Sequence, residues 1–190
     1  MRKFLLAVAL TGWASAAAAQ QANVDVLART CNACHGVGGA SAGATMPSIG
    51  GLPRDYLRRV MKQWKYGERS SITMGRIVKG FSDDEIDALA AYFARQEWVP
   101  AAQQAPDEVL SRGEAVISAI CTDCHGANGG DPDVDAPRLD GQWSRYMMLE
   151  LEKYRSPDFK MPHRKMKKAL QETNPADSSA AARYFGAQVR

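Results

Sequence analysis

The sequence predicts an all-α protein built from one small helical unit used twice, and three observations carry that prediction. Apolar residues recur at helical spacing in several segments, no stretch shows a convincing strand pattern, and the chain repeats itself at an offset of ninety residues. In the repeat, Cys31-Asn-Ala-Cys34-His35-Gly36 aligns with Cys121-Thr-Asp-Cys124-His125-Gly126, Pro47 with Pro137, Gly51 with Gly141, Tyr56 with Tyr146 and Trp64 with Tyr154. After a two-residue insertion, an offset of ninety-two pairs Met74 with Met166 and Tyr92-Phe93 with Tyr184-Phe185.

Taken in order, residues 1–19 read as a secretory signal. Arg2 and Lys3 make a basic start, Phe4 to Trp13 is mostly apolar, and Ala16 to Ala19 supply the small residues of a cleavage site. That apolar run is too short to cross a bilayer, so the mature chain is expected to be periplasmic and not membrane-spanning. Residues 20–99 form the first unit, 100–106 a linker marked by Pro100 and Pro106, and 107–190 the second unit. Helices are expected at Val24 to Thr30 and Gly113 to Ile120, leading into the cysteine pairs, and at Arg54 to Tyr66 and Ser144 to Tyr154. Ser82 to Gln96 closes the first unit. Ser82 can cap it with Glu85 three positions on, and Ile86, Leu89, Ala90 and Phe93 share one face. Asp177 to Val189 is its counterpart, while Gly36 to Pro53 and Gly126 to Gly141 read as loops. Without Arg2 and Lys3 the formal charge falls from +3 to +1, which argues against nonspecific nucleic-acid binding.

Cys-x-x-Cys-His is the attachment signature of c-type haem. Two thiols three positions apart near a turn reach the two vinyl groups of one macrocycle, and the adjacent His lies beneath the iron. Two copies imply two haem c, held by Cys31 and Cys34 and by Cys121 and Cys124, with His35 and His125 as proximal ligands. Small units bury little apolar surface and gain from such a staple. Paired disulfides would not explain a His after each pair. A four-cysteine zinc site would have to join pairs that belong to different repeats. A thioredoxin-like pair needs a βαβ context, which is missing.

The chain has three His, so double-His ligation at both irons is excluded, and Met is the common alternative. In the first unit Met46 is too near His35 and Met61 sits inside a helix, which leaves Met74, expected in a loop. In the second unit Met166 is preferred because it precedes Tyr184 by the same eighteen residues that separate Met74 from Tyr92. Met161, followed by Pro162, is the alternative, and His163 lies between the two. Met147 and Met148 read as helix packing.

This pattern resembles the dihaem class I cytochromes c, over nearly all of the mature chain. The resemblance implies two tandem class I cytochrome c domains, each wrapped around one covalently attached haem. It also implies that Pro47 and Pro137, each twelve residues after its His, offer their carbonyls to the proximal imidazoles. Within that family the chain is similar to two types, a cytochrome c-four type carrier to a terminal oxidase and the cytochrome subunit of flavocytochrome c sulfide dehydrogenase. Ile72 to Ser82, Leu139-Asp-Gly-Gln-Trp143 and the basic run Lys160 to Lys168 look more like the second. That resemblance implies a partner flavoprotein (FAD) sulfide dehydrogenase subunit as donor and a downstream small cytochrome or oxidase as acceptor. The chain has no dinucleotide fingerprint of its own. The reading from another class is a dihaem enzyme, such as a peroxidase or thiosulfate dehydrogenase, which requires a labile position at one iron. With a Met available at both, electron transfer is the expectation, and the basic run is a candidate steering face for a partner.

Overall fold

The computed structural model describes residues 23–189, and among them there are helices and loops but no strand. The expected signal at residues 1–19 lies outside the described residues. Helix α1 spans 23–29, and α2, Asn32–His35, is the single turn that carries the first cysteine pair. Helix α3 runs Arg54–Lys65, α4 is one turn at Met74–Ile77, and α5 is Asp83–Ala94. The second half repeats the plan with α6, Asp107–Ile120, α7, Thr122–His125, α8, Ser144–Arg155, α9, Arg164–Gln171, and α10, Pro175–Ala187.

The local signals explain most of these boundaries. Ser82 and Glu85 form a reciprocal capping box, with Glu85 N–H donating to the Ser82 hydroxyl at 3.1 Å and Ser82 N–H donating to the Glu85 carboxylate at 2.7 Å. Ile86, Leu89, Ala90 and Phe93 are the buried face of α5. Helix α10 begins earlier than expected because Asn174 caps it, accepting from Asp177 N–H at 2.9 Å, and Pro175 fills the first turn, where its missing N–H costs nothing.

Three other elements also differ from the sequence expectation. Helix α6 starts at Asp107, well before Gly113. Gly113 lies inside the helix because α10 approaches there: a Cβ would sit 2.5 Å from the Ala180 carbonyl oxygen. Met74 opens the one-turn α4 rather than lying in a loop, its N–H donating to the Ser71 hydroxyl at 3.1 Å. The second part of the basic run lies in α9, which starts on a cap that sequence rules do not favour, the imidazole of His163.

Each half has its own core. Val24, Ala28, Leu52, Leu57, Leu89, Ala90, Phe93 and Trp98 make the first. Ile117, Met147, Ala181, Ala182 and Phe185 make the second. Cys31 packs at the edge of one and Cys121 at the edge of the other, so each cysteine turn is seated on its unit's core. The segment between the halves is held against the second: Ala101 N–H donates to the Gly141 carbonyl at 2.7 Å, and Gln103 bonds Gln142, Gly186 and Ser144.

The halves also meet through Tyr56, Tyr146 and Tyr154, whose hydroxyls are enclosed although the rings keep some exposure. Arg69 donates to the Tyr154 hydroxyl at 3.0 Å and lies over its ring. Nearby, Ser70 N–H donates to the Lys160 carbonyl at 2.9 Å, and Lys160 N–H donates to the Ser70 hydroxyl at 3.0 Å. Arg59 reaches across to the carboxylate of Asp135.

Two outcomes follow from this packing. Gly113→Ala gains about 1 kcal/mol of helix propensity, but the clash is with backbone and costs about 1–3 kcal/mol. Denaturant titration of the holoprotein should therefore show net destabilisation, and a stabilised variant would contradict the close α6–α10 approach. Burial, the largest cause, raises the phenol pKa of all three interface tyrosines. An unfolded Tyr ionises near ~10, so the folded state holds the extra proton above that pH. Stability should be full below pH ~10 and fall as pH rises beyond it, with Tyr56, Tyr146 and Tyr154 forming phenolate only as the chain unfolds. Alkaline difference spectra paired with circular dichroism check this.

Candidate haem sites

The site in each half is built around one helical turn. In α2, His35 N–H donates to the Cys31 carbonyl at 2.9 Å, and in α7 His125 N–H donates to the Cys121 carbonyl at 3.1 Å. This geometry sets the two thiols of each pair one turn apart, with the imidazole following directly. The chain must then reverse sharply, which Gly36 and Gly126 permit at φ 75° and 74°. At Gly36 a Cβ would collide with the Ala40 carbonyl oxygen at 1.9 Å.

The returning loop is pinned in the same way in both halves. Ile49 N–H donates to the Gly39 carbonyl at 2.8 Å and Leu139 N–H to the Gly129 carbonyl at 2.7 Å. Gly51 N–H donates to the Phe93 carbonyl at 2.8 Å and Gly141 N–H to the Phe185 carbonyl at 2.9 Å. These bonds tie the loop to the closing helix and place Pro47 and Pro137 beside the imidazoles. His35 Nδ1–H donates to the Pro47 carbonyl at 2.9 Å, and His125 Nδ1–H to the Pro137 carbonyl at 3.1 Å.

A carbonyl can only accept, so Nδ1 carries the proton in both rings. Burial, the largest cause, lowers the pKa of both imidazoles, with the proline carbonyls opposing it. Each ring is 9% exposed and is held neutral, with its lone pair on Nε2. That is the tautomer a His needs to bind a metal through Nε2. The donor set thus fits an iron beneath each imidazole.

No disulfide joins Cys31, Cys34, Cys121 or Cys124. Burial raises the pKa of Cys31 and pushes that of Cys121 up to about 11, the opposite of the lowered pKa of an activated redox cysteine. No cluster of three or more His, Cys, Asp or Glu among the described residues could hold a bare metal ion. Two open grooves between the halves, about 480 and 590 Å³, are lined by residues such as Arg54, Asp131 and Arg138, or Arg59, Glu68 and Asp135, with no Cys, His or Met among them.

The methionines separate by environment. Met46 is 40% exposed, Met61 packs on the first core, and Met147 is in the second. Met148 accepts from the Ser179 hydroxyl at 3.0 Å. That leaves Met74, Met161 and Met166. Met74 and Met166 share a local device, an N–H held by the side chain three residues earlier: Ser71 for the first, and for the second His163 Nδ1, at 3.3 Å. Met161 is the more buried, at 8% exposure. His163 already spends Nδ1 as a helix cap, and its pKa is lowered by burial first and then by Arg59 and Arg69.

The structure brings the Cys, His and Pro singled out in the sequence together in each half. Sequence reasoning did not find the residues that brace the proline loops from outside: Gln142 and Trp143 in contact with Ser48 and Ser41, and Trp98 in contact with Asp140. The Leu139–Trp143 motif contains Gln142 and Trp143, and no sequence motif contained Trp98.

Comparison with known proteins finds relatives along most of the chain. The family model described as cytochrome c oxidase, cbb3-type, subunit III matches residues 18–93. Cytochrome c4 of Pseudomonas aeruginosa is 33% identical over 163 residues, 80% of this chain and 78% of the relative. A thiosulfate dehydrogenase electron acceptor of Thiomonas intermedia is 29% identical over 82% of this chain and 76% of its own length. The cytochrome subunit of sulfide dehydrogenase from Chlorobaculum tepidum is 38% identical over 36% of this chain and 62% of its own length. The solved structure of reduced cytochrome c4 from Pseudomonas stutzeri superposes with a TM-score of 0.74 at 25% identity, covering 90% of this chain and 97% of that one. Two tandem helical units, a neutral anchored imidazole after each cysteine pair, and this degree of likeness place the chain in the cytochrome c4 family of dihaem electron-transfer proteins, with two covalently bound haem c groups.

Proposed function

We propose that the chain is a two-site electron relay of the periplasm that accepts electrons from a sulfur-oxidising dehydrogenase, in the first instance a flavoprotein sulfide dehydrogenase subunit. The observation that carries the relay is the pair of buried imidazoles, each fixed by a proline carbonyl and each following its own cysteine pair. In this reading Cys31, Cys34, Cys121 and Cys124 carry the thioether bonds, and His35 and His125 are the proximal ligands. Met74 and Met166 close the opposite positions, with Met161 the alternative to Met166. Haem supplies one-electron exchange when bound. The chain's residues supply rigid ligands, so little moves when the charge on the site changes. For about 171 residues the radius of gyration is roughly 15–16 Å, which keeps two sites within electron-exchange reach.

The donor assignment draws on Ile72–Ser82, Leu139–Trp143 and the basic run, together with the likeness to a sulfide dehydrogenase cytochrome subunit. A second reading, a carrier for thiosulfate dehydrogenase, is favoured by a likeness that spans far more of the chain. Both use the same two sites. The basic run gives either partner a basic face for an acidic surface to match, since Arg164, Lys165 and Lys168 are exposed along α9 and Lys160 just before it.

Met74→Ala and Met166→Ala should each admit carbon monoxide rapidly at one reduced haem, while the parent protein binds it slowly. Rapid binding to Met161→Ala with none to Met166→Ala would move the second ligand to Met161. Stopped-flow mixing with the flavoprotein and sulfide should reduce both haems, at a rate that falls as salt rises. Lys165→Glu should weaken that salt dependence. Reduction by thiosulfate dehydrogenase alone would select the second reading.

A further inference from the structure

Gln142 and Trp143 send their side chains out of their own half. Gln142 is 3% exposed, and its carboxamide makes two bonds to one residue of the first half. Ser48 N–H donates to Oε1 at 3.0 Å, and Nε2 donates to the Ser48 carbonyl at 2.8 Å. The indole Nε1–H of Trp143 donates to the Ser41 carbonyl at 2.9 Å. Ser41 and Ser48 are joined to each other, Ser41 N–H donating to the Ser48 hydroxyl at 3.2 Å. One dipeptide of the second half therefore grips both ends of the loop from Ser41 to Ser48. Ser48 directly follows Pro47, whose carbonyl accepts His35 Nδ1–H at 2.9 Å.

The second half braces its own loop differently. At the offset of ninety, Arg138 stands where the first half has Ser48, Asp140 where it has Gly50, and Gln142 where it has Leu52. Arg138 follows Pro137 and closes in bidentate fashion on the fully buried Asp140, at 2.6 and 2.7 Å, within the same loop. Trp98 of the first half lies over the Arg138 guanidinium and donates Nε1–H to the Asp140 carbonyl at 2.9 Å. The first half thus touches this loop, but the side-chain brace next to Pro137 is internal. The brace next to Pro47 comes from the other half.

We infer that Gln142, with Trp143, is a positioning residue for the proximal imidazole of the first haem, so that the second half tunes the first site through the Pro47 carbonyl. The inference rests on His35 being an iron ligand, as proposed above. A carbonyl held firmly on Nδ1–H makes the imidazole a more basic ligand, and a more basic ligand favours the oxidised site. Loosening Ser48 weakens that hold, so the first site becomes easier to reduce.

The test uses the holoprotein with Gln142→Leu, the residue type the first half has at Leu52, and Trp143→Phe, which keeps a ring and deletes one N–H. The two haems are followed separately by their haem-methyl resonances during a potentiometric titration. In Gln142→Leu the reduced-to-oxidised ratio of the first haem at a fixed potential should rise by roughly threefold or more, with the second haem unmoved. Trp143→Phe should shift the same haem in the same direction by less. An unmoved first haem, or equal shifts at both, overturns the inference. If Gln142→Leu does not accumulate as holoprotein, Trp143→Phe decides by the same criterion. The parent protein supplies the separate check on the ligand: without hyperfine-shifted His35 ring signals, the ligand reading and this inference both fall. With those signals present and no shift in the variants, only this inference falls.

Discussion

Each half turns on one hydrogen bond, from a buried imidazole Nδ1–H to a proline carbonyl twelve residues further along the chain, at 2.9 Å in the first half and 3.1 Å in the second. The bond does two things at once. It fixes the tautomer, leaving Nε2 as the free lone pair, and it fixes the ring's rotation against a loop that is tied in turn to the closing helix. A ring buried without that partner would lose a polar contact that burial makes costly to leave unmade. The glycine after each His, the loop bonds to Gly39 and Gly129 and the ties to Phe93 and Phe185 all serve to bring the carbonyl into place.

The duplication is faithful where the chain's own geometry sets the bonds and diverges where the halves meet. The backbone bonds from Ile49, Gly50 and Gly51 recur at Leu139, Asp140 and Gly141. At the junction, by contrast, a buried carboxylate and its arginine stand in one half where a serine and a glycine stand in the other. A tandem repeat inside one chain is free to do this. Each copy sees a different neighbour, so two sites with the same pattern of cysteines, imidazole and proline acquire different surroundings. For an electron relay, such a difference is the means by which otherwise equivalent sites take different potentials.

The packing of the helices shows the same division between local and distant causes. The capping box at Ser82 and the Asn174-Pro175 start of α10 lie within one turn of chain and act on that turn alone. Gly113 is read locally as a helix breaker, yet it lies within α6 because a side chain there would run into Ala180 of α10. His163 is an unfavoured cap by residue type. It becomes one because α9 follows directly, and Met166 N–H finds its ring nitrogen.

The sequence by itself determined the all-α character and the repeat that puts a cysteine pair and a following His in each half, because those features are set by short spacings and by a repeat that can be read along the chain; the part expected of Pro47 and Pro137 came from the resemblance to the dihaem class I cytochromes c. Only the tertiary structure decided which side chains brace the proline loops, where α6 begins, and how Met74, Met161 and Met166 differ in burial and local bonding. The bonds from Gln142 to Ser48 and from Trp143 to Ser41 span 94 and 102 residues. No periodicity or motif fixes a contact over that distance. It follows from how two separately folded units settle against each other, and that depends on the shape and polarity of whole surfaces rather than on any short run of residues.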